Sequence, residues 1–163
     1  MMSIRKEFVT NSPEESISLA HSLGKILRAG DVIAYSGDLG AGKTTFTRGL
    51  ASGMGLSDLV TSPTFSLVHV YGRPPLQLCH FDMYRITDPD ELETTGYYDY
   101  LPEESVFAIE WSENIISALP DDLIQIRIET LGETSRKIIL EVPEITENSE
   151  SKERRERFAD FGN

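Results

Sequence analysis

A glycine-rich segment, GDLGAGKT at residues 37–44, fits the phosphate-binding pattern G-x-x-x-x-G-K-[ST] at every position. Its glycines at 37, 40 and 42 allow backbone conformations that a Cβ atom would hinder. Successive N–H groups can then converge on phosphate oxygens. A helix that follows directly would point its positive N-terminal end at the same anion. The segment therefore predicts a nucleotide-binding P-loop.

The side chains at the end of this segment predict how the phosphates are held. Lys43 would reach the β- and γ-phosphates, the Thr44 hydroxyl would coordinate Mg²⁺, and Thr45 would donate to the α-phosphate. A glycine-rich turn without a ligand is the alternative, but a buried strand and an amphipathic helix are predicted on either side, which favours the P-loop. The residues expected to contact the nucleotide here are Gly37, Asp38, Leu39, Gly40, Ala41, Gly42, Lys43, Thr44 and Thr45.

Hydrolysis of a bound nucleotide also needs an acidic side chain near the metal ion, and two carboxylates qualify. Glu110 directly follows the apolar run at residues 106–109, and Asp82 ends the less regular run at residues 76–81. One of them could hold Mg²⁺ through water while the other orients or deprotonates the attacking water. The residues leave this division of roles open, and for each a solvated strand end is the alternative.

Two further features near these motifs have open interpretations. The sequence TSPTF at residues 61–65 follows the helix after the P-loop, where many P-loop proteins place a switch segment. The hydroxyls of Thr61, Ser62 and Thr64 could sense the γ-phosphate, although an ordinary turn before a strand explains the same residues. Trp111, next to Glu110, could be a lid or a partner contact, or a half-buried core residue.

The predicted elements around these motifs mix strands and helices. Helices are predicted to begin near residues 13 and 43, and residues 72–75 and 131–134 have the length and composition of hairpin turns. Strands are predicted over residues 4–9, 31–36, 64–71, 76–82, 106–109, 123–130 and 136–142. This pattern predicts an α/β fold, a single P-loop NTPase-like domain with a mixed parallel and antiparallel sheet flanked by helices.

The end of the chain differs in composition from the rest. From residue 144 onward Glu, Ser, Lys and Arg dominate, and residues 147–157 have almost no apolar side chains. Such a segment buries too little apolar surface to order itself. We therefore expect the P-loop domain to span residues 1–143, and residues 144–163 to form a charged tail that is disordered or a solvent-exposed helix.

Charge and composition exclude several classes of function. The 163 residues include 15 Lys and Arg against 27 Asp and Glu, a net charge of −12. Because phosphate backbones are bound through clustered Lys and Arg, we expect no autonomous binding to DNA or other nucleic acid. No stretch has the ~18 apolar residues of a membrane span, and the first residues lack the apolar region of a secretory signal. With a single cysteine, Cys79, the sequence predicts a cytoplasmic protein that has no contact with a membrane.

Four segments together resemble the bacterial TsaE proteins (also called YjeE), which are P-loop ATPases needed for the threonylcarbamoyladenosine modification of tRNA. The segments are GDLGAGKTTFTRGL at residues 37–50, TSPTFSLVHVY at 61–71, HFDMYRI at 80–86 and AIEWSE at 108–113. A P-loop is common to many families, but the other three segments in this order and spacing are far more specific. The resemblance covers about residues 10–140 and leaves the charged tail out.

This resemblance implies a small α/β domain that binds ATP and Mg²⁺ and works with two proteins, the transferase TsaD and its scaffold TsaB. It implies contact with tRNA only through that complex, and a role in resetting the complex between turnovers. The base would lie between the segment around Thr10 and the turn around Gly132. The family's other roles fall on Lys43 for the phosphates, Thr44 and Glu110 for the metal ion, Asp82 for hydrolysis, residues 61–65 for the switch and Trp111 beside the nucleotide.

Two other classes of function fit part of the sequence. A small-molecule kinase is compatible with the chain length and the P-loop, but such kinases usually carry an Arg-bearing lid where this chain predicts a β-hairpin. Phosphoryl transfer to a metabolite at a rate above hydrolysis would favour it. The other class is a binding module in which hydrolysis is incidental, and in that case Asp82→Asn would leave partner function intact.

Overall fold

The computed structural model describes residues 3–38, 40–56, 59–61, 67–144 and 148–162, with only the backbone described at 59–61. These residues include eight strands, Ile4–Thr10 (β1), Val32–Gly37 (β2), Leu59–Thr61 (β3), Val68–Arg73 (β4), Leu76–Asp82 (β5), Ser105–Glu110 (β6), Ile124–Thr130 (β7) and Arg136–Val142 (β8). The strands form one sheet in the order β1-β8-β7-β2-β6-β5-β4-β3.

Three α-helices and four short 3₁₀ segments complete the described part of the chain. The first helix begins near residue 13, as predicted, because the Ser12 hydroxyl accepts from the N–H of Glu15 at 3.1 Å and Pro13 occupies the first helical position. The helices are Pro13–Gly24 (α1), Lys43–Gly53 (α2) and Ser149–Asp160 (α3). The 3₁₀ segments are Pro89–Thr94, Tyr97–Asp99, Pro102–Glu104 and Ser112–Ala118.

The centre of the sheet is parallel and its margins are antiparallel, so the prediction of a mixed α/β sheet is confirmed. Strands β7, β2, β6 and β5 run in the same direction. Antiparallel pairs extend the sheet through β8 and β1 on one side and through β4 and β3 on the other. In such sheets ligands bind in the crevice outside the carboxyl ends of the parallel strands. The residues that follow β2, β5, β6 and β7 therefore meet at one edge.

The central strand β2 is buried on both faces, as the short apolar run in the sequence predicts. Ile33 and Tyr35 join the core beneath the α-helices, whereas Val32 and Ala34 join a second core that includes the 3₁₀ residue Ile115. Because β2 is packed on both faces, the position and direction of its carboxyl end, where the P-loop begins, are fixed.

Helix α2 is held close to α1 by glycines. A Cβ atom on Gly49 would stand 2.6 Å from the Cβ of Ala20, and one on Gly53 would stand 1.9 Å from the carbonyl oxygen of His21. Only glycine permits this approach. The start of α2, which carries Lys43, is thereby fixed against the rest of the domain.

The expectation of a disordered or solvent-exposed tail is wrong for residues 149–160, because one face of α3 is buried. Phe158 is fully buried in the core beneath the helices, and Arg154 is 4% exposed. The buried carboxylate of Asp31 accepts from Arg154 Nε at 2.7 Å and from both terminal nitrogens of Arg157 at 2.9 Å. Asp122 also pairs with Arg154. Opposite charges from distant parts of the chain thus order a segment that has few apolar residues.

We expect the ion pairs of Arg154 and Arg157 to make α3 contribute to the free energy of unfolding of the domain. Arg154→Met keeps most of the side-chain volume but leaves the buried Asp31 with a single arginine, and removing one partner of a buried ion pair is costly. We expect the free energy of unfolding, measured in urea, to fall by about 3 kcal/mol. Arg28→Met is the matched control, since Arg28 pairs with Glu153 at 2.6 Å on the surface and should cost less than about 1 kcal/mol. Equal losses in the two variants would contradict the structural role of α3.

Candidate functional site

An open cleft of about 910 Å³ lies at the carboxyl edge of the parallel strands. It brings together described residues of the P-loop, the two candidate carboxylates and Trp111, which the sequence predicts as parts of one site. Its lining residues are Gly37, Asp38, Gly40, Ala41, Gly42, Lys43, Thr44, Asp82, Tyr84, Glu110 and Trp111. Leu39, which the sequence also assigns to the nucleotide, lies outside the described residues.

The P-loop glycines have the backbone conformations for which the sequence singles them out. Gly37, Gly40 and Gly42 have φ angles of 115°, 75° and 98°, in the region that favours glycine. At Gly37 the constraint is also steric, because a Cβ atom would stand 2.0 Å from the carbonyl oxygen of Ile128. The loop can therefore turn tightly between β2 and α2.

Strands β7 and β8 anchor the loop. The N–H of Asp38 donates to the carbonyl of Ile128 at 3.1 Å, and the Asp38 carboxylate accepts from the N–H of Thr130 at 2.8 Å. Arg136 Nε donates to the carbonyl of Ala41 at 3.0 Å. Asp38 thus ties the loop to the end of β7, and Arg136 ties it to the β7–β8 turn.

Lys43 begins α2 at the floor of the cleft. Its Nζ lies 3.5 Å from the carbonyl oxygen of Gly37, and no described side chain caps the helix start at Gly42. The Thr47 hydroxyl donates to the carbonyl of Lys43 at 2.7 Å and accepts from the Tyr35 hydroxyl at 2.7 Å. Burial raises the pKa of Tyr35, so this phenol keeps its proton. The uncapped helix start and the lysine give the cleft a positive end that suits an anion.

The two candidate carboxylates stand side by side, because β5 and β6 are parallel and their register pairs Asp82 with Glu110. Asp82 is exposed, and one of its oxygens accepts from the N–H of Tyr84 at 3.0 Å. Glu110 is half-buried, and its Oε2 lies 2.8 Å from Nε2 of His80. The sequence finds both carboxylates, but not their different surroundings.

Glu110 is the carboxylate with the shifted pKa. Burial acts to raise that pKa, but the hydrogen bond from His80, together with the electrostatic interactions of Glu110 with His80, Lys43 and His69, outweighs burial and holds the pKa below its usual range. Glu110 is therefore ionised at neutral pH. Because the pKa is lower in the folded state than in the unfolded chain, its ionic contribution to stability is present above the ordinary carboxyl pKa and is lost as the pH falls through the lowered value.

Trp111 lies at the lip of the cleft rather than in the core, being 41% exposed. It has a φ of 60°, the only positive φ among the described residues other than glycine. Its ring meets the ring of Tyr84 edge to face, with centroids 5.0 Å apart. A bulky residue in this conformation is strained, and such strain is concentrated at functional sites.

The structure covers the predicted switch and base-binding residues only in part. Ser62 and Thr64 lie outside the described residues, and of Thr61 only the backbone is described, paired with His69 across β3 and β4. Thr10 is buried with its hydroxyl 2.6 Å from that of Ser16. The switch assignment and the base-binding assignment stay predictions.

Gly132 belongs to the β7–β8 turn, and its carbonyl accepts from Arg136 at 2.9 Å. A small cavity of about 130 Å³ separates this turn from the start of α1, next to the P-loop. Its lining includes Pro13, Ser16, Thr45, Phe46, Glu133 and Thr134. The cavity lies near the two segments between which the family resemblance implies that the base binds, although Thr10 and Gly132 are not among its lining residues.

A magnesium ion suits the donors that this cleft presents. Mg²⁺ prefers oxygen ligands and is usually held by one or two protein groups together with water and substrate phosphates. The Thr44 hydroxyl and the Glu110 carboxylate supply such oxygens in the cleft. Within the described ranges no group of three or more His, Cys, Asp or Glu residues could hold a metal ion alone. The chain therefore fits a metal ion that arrives with a phosphate-bearing ligand.

Cys79, one residue before His80, is excluded as a nucleophile. It is fully buried, and burial raises the pKa of its thiol to about 12 in spite of a hydrogen bond with Ser105. We expect the folded protein to resist a thiol reagent at about pH 8, where only about one thiol in ten thousand with this pKa is ionised. Rapid labelling of the native protein, at the rate seen in denaturant, would contradict this burial.

The fold and the cleft together define an α/β protein with a P-loop at the carboxyl end of a central parallel strand. The sequence matches the family profile "Threonylcarbamoyl adenosine biosynthesis protein TsaE" over residues 10–138. The chain belongs to the TsaE family, as its motifs predict.

Relatives of known name agree with this assignment. The chain is 40% identical to "tRNA threonylcarbamoyladenosine biosynthesis protein TsaE" of Bacillus subtilis, over 79% of this chain and 80% of that protein. It is 37% identical to the protein of the same name from Aquifex aeolicus, over 84% of this chain and 96% of that protein. The crystal structure of Bacillus subtilis YdiB superposes with a TM-score of 0.69 at 31% identity, over 98% of this chain and 99% of that one. No helix in the described part of the chain has the length and apolar character to cross a membrane.

Proposed function

We propose that this protein binds ATP with Mg²⁺ and hydrolyses it as a component of the tRNA threonylcarbamoyladenosine machinery, acting on the TsaB–TsaD complex in the cytoplasm. Support comes above all from one observation. Lys43, Thr44, Asp82 and Glu110 come from three separate elements and line the same cleft, and these are the types of residue that phosphoryl transfer requires.

The P-loop and α2 would bind the triphosphate. The positive start of α2 and the ammonium of Lys43 would neutralise the β- and γ-phosphates. The Thr44 hydroxyl and the ionised Glu110 would hold Mg²⁺, which when bound withdraws negative charge from the phosphate oxygens. The lowered pKa of Glu110 supports this division, because a metal-binding carboxylate must be ionised.

Asp82 would act on the attacking water. It is the more exposed of the two carboxylates and stands beside Glu110 in the sheet register. Its backbone partner Tyr84 holds one carboxylate oxygen, which leaves the other to orient the water or to accept its proton. Asp82 and Glu110 would therefore have separate roles, Asp82 toward water and Glu110 toward the metal ion.

The net charge of −12 supports an action on proteins rather than directly on tRNA. A chain of this charge repels a phosphate backbone, so contacts with tRNA would be left to TsaB and TsaD. A basic surface on those partners would complement the charge of this protein.

Nucleotide binding can be measured directly because Trp111 is the only tryptophan in the chain and lines the cleft. We expect ATP to change its fluorescence, with tighter binding in the presence of Mg²⁺ and weaker binding of GTP. The products of turnover should be ADP and inorganic phosphate. An absence of ATP binding would contradict the proposal, and transfer of phosphate to a metabolite faster than to water would replace it with the kinase alternative.

A further inference from the structure

His80 is a buried polar residue that does not line the cleft, so direct contact with a nucleotide does not explain why a histidine is buried here. It is 4% exposed and lies in β5, two residues before Asp82 at the end of that strand. Residues two apart on a strand share a face, so His80 lies behind Asp82 as seen from the cleft. Its Nε2 lies 2.8 Å from Oε2 of Glu110 on the neighbouring strand.

The two ring nitrogens of His80 have different surroundings. Nε2 has the Glu110 carboxylate as its partner, whereas Nδ1 is buried with no hydrogen-bond partner among the described residues. A proton on Nδ1 would be a buried donor without an acceptor, which is costly. The favourable arrangement therefore has the proton on Nε2, donated to Glu110.

Ring contacts hold this imidazole in place. The Tyr35 ring meets it edge to face at 5.9 Å, and the His69 ring lies 6.4 Å away. Tyr35 is itself fixed by its hydrogen bond to Thr47 on α2. The donor that faces Glu110 is thus oriented before any ligand arrives.

We propose that His80 is a positioning residue that holds Oε2 of Glu110 and so presents Oε1 to the metal ion in the cleft. This inference rests on the proposed function, since it assumes that Glu110 binds Mg²⁺. A partner that orients a metal-binding group typically changes metal affinity by about 10- to 100-fold. His80 is not itself a ligand, because its Nε2 is occupied by Glu110 and Mg²⁺ prefers oxygen.

Two substitutions separate positioning from packing. His80→Phe keeps an aromatic ring beside Tyr35 but removes the donor, whereas His80→Gln supplies an N–H donor with a similar reach. We expect His80→Phe to raise the Mg²⁺ concentration for half-saturation about 10- to 100-fold, measured by Trp111 fluorescence with a non-hydrolysable ATP analogue. His80→Gln should recover most of this loss, and the affinity for nucleotide without Mg²⁺ should not change in either variant.

His21→Phe is the matched control, because His21 contacts Ser52 between α1 and α2 and does not line the cleft. It should bind Mg²⁺ like the wild type. In a Glu110→Gln background, His80→Phe should have no further effect on Mg²⁺ affinity, since the group that it positions is gone. Unchanged Mg²⁺ affinity in His80→Phe, or equal losses in His80→Phe and His80→Gln, would overturn the inference.

The same set of proteins distinguishes this inference from the proposed function. If the wild type binds nucleotide with no dependence on Mg²⁺, the proposed metal site fails and the role of His80 fails with it. If Glu110→Gln loses the dependence and His80→Phe keeps it, only the role of His80 fails.

A measurement on the wild type does not depend on the folding of any variant. Long-range ¹H–¹⁵N NMR spectra report which imidazole nitrogen carries the proton. We expect the proton of His80 on Nε2, and a proton on Nδ1 alone would overturn the inference.

Discussion

Lys43→Ala is expected to abolish productive nucleotide binding and to lower ATP hydrolysis by about 100- to 1000-fold, the usual loss when a preorganised group that stabilises charge in the transition state is removed. Lys43 begins α2 at the floor of the cleft, with its Nζ 3.5 Å from the Gly37 carbonyl. No other described lysine lines this cleft, so we expect no substitute for its charge. Titration with ATP and steady-state hydrolysis would measure the two losses.

Lys25→Ala provides the control for this change. Lys25 is an exposed lysine at the end of α1, away from the cleft lining, and its loss should leave both measurements unchanged. Hydrolysis by Lys43→Ala near the wild-type rate would show that the P-loop is not the site of the reaction.

Asp82→Asn is expected to separate binding from chemistry. The amide oxygen can still accept from the N–H of Tyr84, as the carboxylate does at 3.0 Å, so the local structure should persist and ATP should bind normally. The amide cannot take a proton from water, and loss of a general base typically costs about 100- to 10,000-fold in rate. Trp111 fluorescence would measure binding, and single-turnover hydrolysis would measure the chemical step.

Two further variants make this result specific. Asp121→Asn changes an exposed aspartate outside the cleft lining and should leave hydrolysis unchanged. Glu110→Gln should instead raise the Mg²⁺ requirement, because it removes a metal ligand. If Asp82→Asn hydrolyses ATP like the wild type, Asp82 has no part in the chemistry, and the binding-module alternative gains support.

The sequence predicts the framework of this protein well because its strands are short apolar runs between turn residues. The predicted bounds of β5 and β8, residues 76–82 and 136–142, agree with the structure. The P-loop also lies between a buried strand and a helix, as predicted. The hydrophobic pattern within each segment is enough to predict these strands and helices, since that pattern does not depend on residues elsewhere in the chain.

The tail could not be predicted in this way. Its order depends on Arg154 and Arg157 meeting Asp31, which is 123 residues earlier in the chain than Arg154. No local pattern encodes that pairing. Phe158 is the only residue of α3 that is buried in the core beneath the α-helices. A single buried apolar residue is too few for the amino-acid composition of the segment to predict an ordered helix.

The site shows the same division between local and long-range information. Asp82 and Glu110 are found from the sequence because each ends an apolar run, but their pairing follows from the parallel register of β5 and β6. The role of His80 has no signature in the residues around it. Its partner lies on another strand, and only the alternation that places His80 two residues before Asp82 could have pointed to it.

The most direct test of an ATPase that acts on TsaB–TsaD is hydrolysis by this protein alone and with that purified pair. We expect slow hydrolysis alone and a clear rise when the pair is added, with the rise abolished by both Lys43→Ala and Asp82→Asn. No rise, from a wild-type protein that binds ATP normally, would contradict an action on TsaB–TsaD.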